Sequence, residues 1–190
     1  MLKFKRVQER PYSAHHTLLH VARIELAKAE RKEPGWFNSA FIVLTFSALA
    51  VEALSNAIGD RIVPEWKDFE SASPLAKMRL LAERLEVPYS SEDEPWLTIR
   101  WLSKFRNQVA HPKPEVVLNE RLITEKEADN RPFDAPKSKL EHKVTVGNAK
   151  RAFDSVEKAK MLLCDKIPAE ERFGLFSDGW STHTRSHDVV

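Results

Sequence analysis

Apolar residues recur at helical spacing in five stretches of this chain, and proline or glycine marks most of the breaks between them. The first predicted helix covers residues 13–33, with Leu19, Ala22 and Leu26 on one face, Leu18 and Val21 beside them, and Pro34-Gly35 as the stop. The second covers residues 38–58. Phe37, Phe41, Leu44, Ala48 and Val51 mark one side of it, but nearly the whole circumference is apolar, which predicts a helix at the centre of a bundle. Asn38 or Ser39 is its expected cap and Gly59 its expected end. The third covers residues 74–85, capped by Ser73, with Pro74 in the first turn where a missing N–H costs nothing. The fourth covers residues 95–111, opened by Pro95 and closed by Pro112. The last covers residues 146–167, with Thr145 as cap, an inner side of Ala149, Phe153, Val156 and Leu163, and Pro168 as the end.

These elements predict an all-α, up-and-down helical bundle of four to five helices. A single domain spans residues 1–190, with its core over residues 12–167. A charged excursion, residues 113–144, separates the last two long helices. It sets Val116-Val117-Leu118 and Leu122-Ile123 before the run Glu125 to Arg131, and reads either as a small hairpin or ordered loop or as a mobile segment. In the C-terminal tail, residues 168–190, the apolar side chains Phe173, Leu175, Phe176 and Trp180 are able to fold back on the bundle, whereas residues 186–190 are expected to fray.

Composition narrows the class. The chain has 190 residues, 42% hydrophobic and 31% charged, the make-up of a soluble domain with a sizeable core. A net charge of +2 excludes a strongly basic nucleic-acid binder but leaves room for a local basic patch. Cys164 is the only cysteine, so neither an internal disulfide nor a zinc framework can form, and a reducing, cytoplasmic setting is expected. Met1-Leu2-Lys3-Phe4-Lys5-Arg6 has no apolar run behind it and does not read as a signal peptide. The stretch 36–58 carries Asn38, Ser39, Thr45, Ser47, Glu52, Ser55 and Asn56. It therefore reads as a core helix and not as the roughly 20 apolar residues of a span, and no membrane partner is expected.

The candidate chemistry lies on the fourth helix. At about 100° per residue, Trp101, Leu102, Phe105 and Val109 fall on a core face, while Arg100, Ser103, Lys104, Asn107 and His111 share the opposite, basic face. Arg106 breaks the pattern, falling between Ile99 and Leu102 on the flank of the apolar side. A guanidinium there needs a carboxylate, a route to water, or a task. Arg106 and His111 start about 140° apart on an ideal helix, although the turn before Pro112 need not be ideal. Glu52 is the matching anomaly, the only charge within residues 36–58. It is expected to pair with Arg106 or another basic group of the fourth helix, with Asn56 extending the same polar track. Arg100, Lys104, Glu52 and Asn56 are thus the candidate binding residues around the stretch Arg106 to His111.

Arg106-Asn107-Gln108-Val109-Ala110-His111 resembles the motif of HEPN-domain proteins, small helical bundles marked by an Arg, a polar neighbour and a His four to six residues further on. The setting is similar too: the motif closes a late helix and follows an apolar helix with the stretch Ala48 to Asn56. The resemblance covers residues 12–167 apart from the excursion. The bare spacing recurs at Arg10 before His15 and His16, so it is the setting that singles out the copy at residues 106–111. The resemblance implies a metal-independent endoribonuclease of toxin or defence type. It would act as a homodimer whose two motifs face one cleft, with an antitoxin protein as a further partner. His111 would be the general base toward the ribose 2′-OH, Arg106 would hold the scissile phosphate, and Asn107 would orient either group. RNA would leave with a 2′,3′-cyclic phosphate and a 5′-OH, and no cofactor is implied. The alternative is a non-catalytic helical module of the same type that binds nucleotide, RNA or a protein; a purely structural dimerisation domain is the third reading.

Other constellations are weaker. His16 and His20 are spaced as zinc ligands on a helix but lack an evident third ligand, and His183 and His187 repeat the spacing in the tail. Lys150, Arg151, Lys158 and Lys160 either extend a basic surface toward RNA or alternate with Asp154 and Glu157 as ordinary exposed charge. There is neither a nucleophile elbow nor a phosphate-binding glycine loop.

Overall fold

The computed structural model describes residues 3–128, 135–176 and 181–187. It is a helical bundle, with α1 (Ala14–Glu30), α2 (Trp36–Ile62), α3 (Pro74–Arg84), α4 (Trp96–Ala110), a one-turn α5 (Glu125–Ala128) and α6 (Val146–Cys164). Two strands, β1 (Lys3–Glu9) and β2 (Ser181–His187), complete it.

The central position of α2 follows from its composition. It packs against α1, α3, α4 and α6, and buries Ala40, Val43, Leu44, Ala50, Val51, Leu54 and Ile58. By length and hydropathy α2 could cross a membrane, and half of its most apolar window is buried inside the bundle. Leu19, Ala22 and Leu26 of α1 close one side of the core; Ile99, Leu102 and Phe105 of α4 and Ala152, Val156 and Leu163 of α6 close the others.

Helix ends explain where the elements start and stop. The Ser73 hydroxyl accepts from the Ala76 N–H and the Thr145 hydroxyl from the Asn148 N–H, each satisfying one orphan donor of a first turn. At α2 the expected ends move. Gly35, at φ +85°, caps its start in place of Asn38 or Ser39. Gly59 does not end the helix but lies inside it, four residues before Val63. Its missing Cβ makes room for the buried Trp66, whose indole occupies the space a side chain would need. The glycine is there for close approach and not for termination.

The termini also differ from expectation. β1 and β2 pair antiparallel, from Lys3 opposite His187 to Glu9 opposite Ser181, so residues 186 and 187, expected to fray, are strand; residues 188–190 lie outside the described residues. Both strands are mainly polar, and helical periodicity carries no trace of a ladder joining opposite ends of a chain. The tail does fold back at Leu175, which is fully buried. His15 Nε2 donates to the Leu175 carbonyl (3.0 Å), and His16 Nε2 donates to that of Gly174 (2.9 Å). Phe176 is half-buried, Phe173 is exposed, and Trp180 lies outside the described residues. The excursion shows no hairpin among its described residues. Residues 113–124 run without regular structure, with Val116, Leu118 and Leu122 exposed; residues 129–134, within or beside the charged run, lie outside the description.

Candidate functional site at the end of helix α4

The start of α4 is tied down from two sides. Thr98 Oγ1 donates to Glu94 Oε1 at 2.6 Å, and Ser155 Oγ of α6 donates to Glu94 Oε2 at 3.1 Å. Trp96 Nε1 donates to the Pro88 carbonyl at 3.0 Å. Buried Ile99, Leu102 and Phe105 then fix the rotation of the helix, while Trp101 and Val109, expected on the same face, are only half-buried at its margins. This rotation decides where each polar residue of the final turns emerges.

Arg106 emerges beside α2. Its Nη2 donates to Glu52 Oε2 at 3.5 Å, the pairing expected from two isolated charges on apolar helix faces. The two side chains are 38% and 34% exposed, so the pair is reachable by solvent and ligand. The guanidinium also turns toward its neighbour, with Nη1 donating to Asn107 Oδ1 at 3.3 Å. Arg106 is therefore held between a carboxylate on one helix and a carboxamide on its own.

His111 emerges elsewhere. It is the C-cap of α4, at φ −130° and ψ 58°, and its backbone N–H donates to the Asn107 carbonyl at 3.0 Å. The following Pro112 excludes the helical conformation here. The ring is exposed and has no hydrogen-bond partner among the described residues. Within one chain, Asn107 is the residue that touches both ends of the motif: its side chain meets Arg106 and its carbonyl holds the backbone of His111.

The other candidates separate. Asn56 does not extend toward α4; its Oδ1 accepts from Lys77 Nζ of α3 at 3.0 Å. Lys77 is 1% exposed, and its ammonium also lies 5.9 Å from the Trp66 ring centroid. Glu52 and Asn56 thus form one polar seam on α2 that serves two different helices. The fate of Lys77 was missed from sequence, although its position four residues before the apolar Leu81 was a signal. Arg100 donates to Glu92 Oε1 at 2.8 Å, so the basic face of α4 receives a carboxylate from the preceding loop. Arg100 also borders a hollow of about 850 Å³ with Arg79 and Tyr89, where burial pushes the Tyr89 hydroxyl up against the opposing pull of both guanidinium groups. Lys104 is exposed, with no partner among the described residues. His16 is engaged by Gly174, and the described residues contain no cluster of three metal-ligating side chains.

Such a site places a guanidinium held by a carboxylate and a carboxamide on one flank of the end of α4, and an exposed imidazole at the end of the same helix. It provides charge complementarity for a phosphate and an imidazole with the chemistry of a proton acceptor. No protein-family model, curated protein or solved structure matches this chain, so what the site does rests on its own geometry.

Proposed function

We propose that this protein is a metal-independent endoribonuclease of toxin or defence type, acting as a cytoplasmic homodimer, as its resemblance to HEPN-domain proteins implies. His111 takes the proton of the ribose 2′-OH, and the 2′-oxygen attacks the adjacent phosphorus. The bond to the 5′-oxygen breaks, and that oxygen leaves with a proton from the imidazolium or from water. A 2′,3′-cyclic phosphate and a 5′-OH remain. RNA carries its own nucleophile, so the chemistry needs only a base, a phosphate holder and water exclusion. Arg106 holds the phosphate, Asn107 orients it, and Lys104 contributes positive field, with Arg100 adding to it where RNA phosphate displaces Glu92. A second copy supplies the facing half of the cleft, and an antitoxin protein is the further partner this reading implies.

The observation that carries the reading is the position of Arg106. Its guanidinium is oriented by Glu52 and Asn107, remains more than one-third exposed, and stands five residues before an exposed histidine. A second reading, a non-catalytic module that binds nucleotide, RNA or protein, is favoured by a different fact: Glu52 already neutralises Arg106, and no hydrogen bond joins Arg106 to His111 in one chain. Incubation with total RNA in excess chelator separates the two. The wild type should cleave, and Arg106→Ala and His111→Ala should each lose about a hundredfold or more. Equal rates from all three would leave only the binding module.

A further inference from the structure

Trp101 is where the aromatic core reaches the surface. Its half-buried ring stacks on Phe105 with centroids 5.6 Å apart and planes 18° apart, and Phe105 meets Phe41 edge-on at 6.0 Å. From α6, the Arg151 guanidinium lies 5.6 Å from the Trp101 centroid. Arg151 is itself exposed, and its hydrogen bond runs to Asn148 Oδ1 at 3.5 Å and not to a carboxylate. With Phe105 stacked on the indole and the Arg151 guanidinium over it, the open side of the guanidinium and the exposed part of the indole offer a surface on which a nucleobase can stack.

Two cations lie along α4 between this stack and His111. On α4, Trp101 and Gln108 form one row, and Lys104 and His111 form the next row, about 60° round the helix; the distance from 101 to 111 is about 15 Å along the axis. Lys143, just before α6, donates its Nζ to Gln108 Oε1 at 2.6 Å and so brings its ammonium onto the same row. The nearby carboxylates have other partners, since Asp154 pairs with Lys150 at 2.9 Å and Glu94 accepts from Thr98 and Ser155. Arg151 also borders a hollow of about 390 Å³, together with Lys150, Lys158, Asp154 and Glu94. That volume lies within the usual range for small-ligand pockets.

We propose that the seam between α4 and the start of α6 is a nucleotide-binding subsite for single-stranded RNA. The Trp101–Arg151 pair takes a base, and Lys104 and Lys143 hold the flanking phosphates and lead the strand to His111. The proposal rests on the nuclease reading for its direction but not for its binding energy.

The test uses the full chain carrying His111→Ala, in chelator, so that a labelled single-stranded oligoribonucleotide stays intact while its affinity is read by fluorescence anisotropy. Arg151→Glu and Lys104→Glu should each raise Kd about tenfold or more and reduce the salt dependence by about one phosphate contact. Arg151→Lys, which keeps the charge and loses the plane, should weaken binding measurably. Arg84→Glu, an exposed cation at the end of α3, should change Kd less than twofold. Unmeasurable binding overturns the proposal, as do unchanged affinities for Arg151→Glu and Lys104→Glu. So do an equal loss from Arg84→Glu and competition by polyglutamate as strong as by unlabelled RNA. The nuclease reading fails separately: the expected binding pattern without cleavage by wild type retains the seam and removes the enzyme. Cleavage with an unchanged KM in Arg151→Glu does the reverse.

Discussion

Glu52 and Arg106 are 54 positions apart in the chain and 3.5 Å apart in space. Each is the isolated charge of an apolar helix face, and each settles the other. The pair crosses from the central helix to α4 at the point where α4 is about to end, so it fixes the guanidinium relative to the core and not to a loop. It is also one-third exposed on both sides, which limits its energetic value.

A double-mutant cycle with Glu52→Gln and Arg106→Gln should give a coupling of about 0.5–1 kcal/mol in urea denaturation. In the nuclease reading, Glu52→Gln should lower cleavage more than it lowers stability, because a guanidinium with one anchor removed holds phosphate less well. Zero coupling together with wild-type cleavage would take Glu52 out of the site.

The polar contact one turn further along α2 behaves differently. Lys77 is almost wholly buried and depends on the Asn56 carbonyl oxygen. Asn56→Leu would leave a buried ammonium without its acceptor and should destabilise the fold by about 3–5 kcal/mol. Lys77→Met removes the charge while keeping the length, and should be neutral or stabilising. Thermal unfolding of the two variants checks the asymmetry; a large loss from Lys77→Met would mean that the ammonium contributes net stability through its contacts with Asn56 and the Trp66 ring.

His15 makes stability depend on pH. Burial, chiefly, with the charges of His16, Lys160 and Arg61 in the same direction, lowers its pKa to about 4, while the hydrogen bond to Leu175 opposes the shift. In the unfolded chain an ordinary histidine titrates near 6.5. Between these values the unfolded state binds the extra proton, so the contribution is fully present above pH 6.5 and is lost as pH falls toward 4. The span amounts to about 3 kcal/mol. His15→Gln should remove that part of the pH slope in urea titrations run from pH 7.5 down to the acid limit, whereas an unchanged slope would show that His15 protonates freely in the folded state.

Gly59→Ala tests the helix–indole contact. The new methyl group overlaps Trp66 and should cost about 1–3 kcal/mol. The same substitution in a Trp66→Leu background should cost less, because the obstructing ring is gone. Equal costs in both backgrounds, measured by chemical denaturation, would place the strain elsewhere.

What the sequence alone determined was local and periodic. Helical spacing located all five long helices, Ser73 and Thr145 were readable as caps, and the all-apolar surface of α2 placed it at the centre, because burial of an apolar face needs only the pattern on that face. The pairing of Glu52 with Arg106 was readable for the same reason: a lone charge in an apolar stripe requires a partner, and few were on offer. Only the tertiary structure decided that Gly59 serves Trp66, that Asn56 turns to Lys77 and not to α4, that Glu92 engages Arg100, and that strands at the two ends of the chain pair. Each of these depends on two segments meeting at a particular rotation and depth. One-dimensional spacing carries the face of an element but not which neighbour that face will meet, and it is the packing of α4 against α2 and α6 that sends Arg106 to one flank and leaves His111 open on the other.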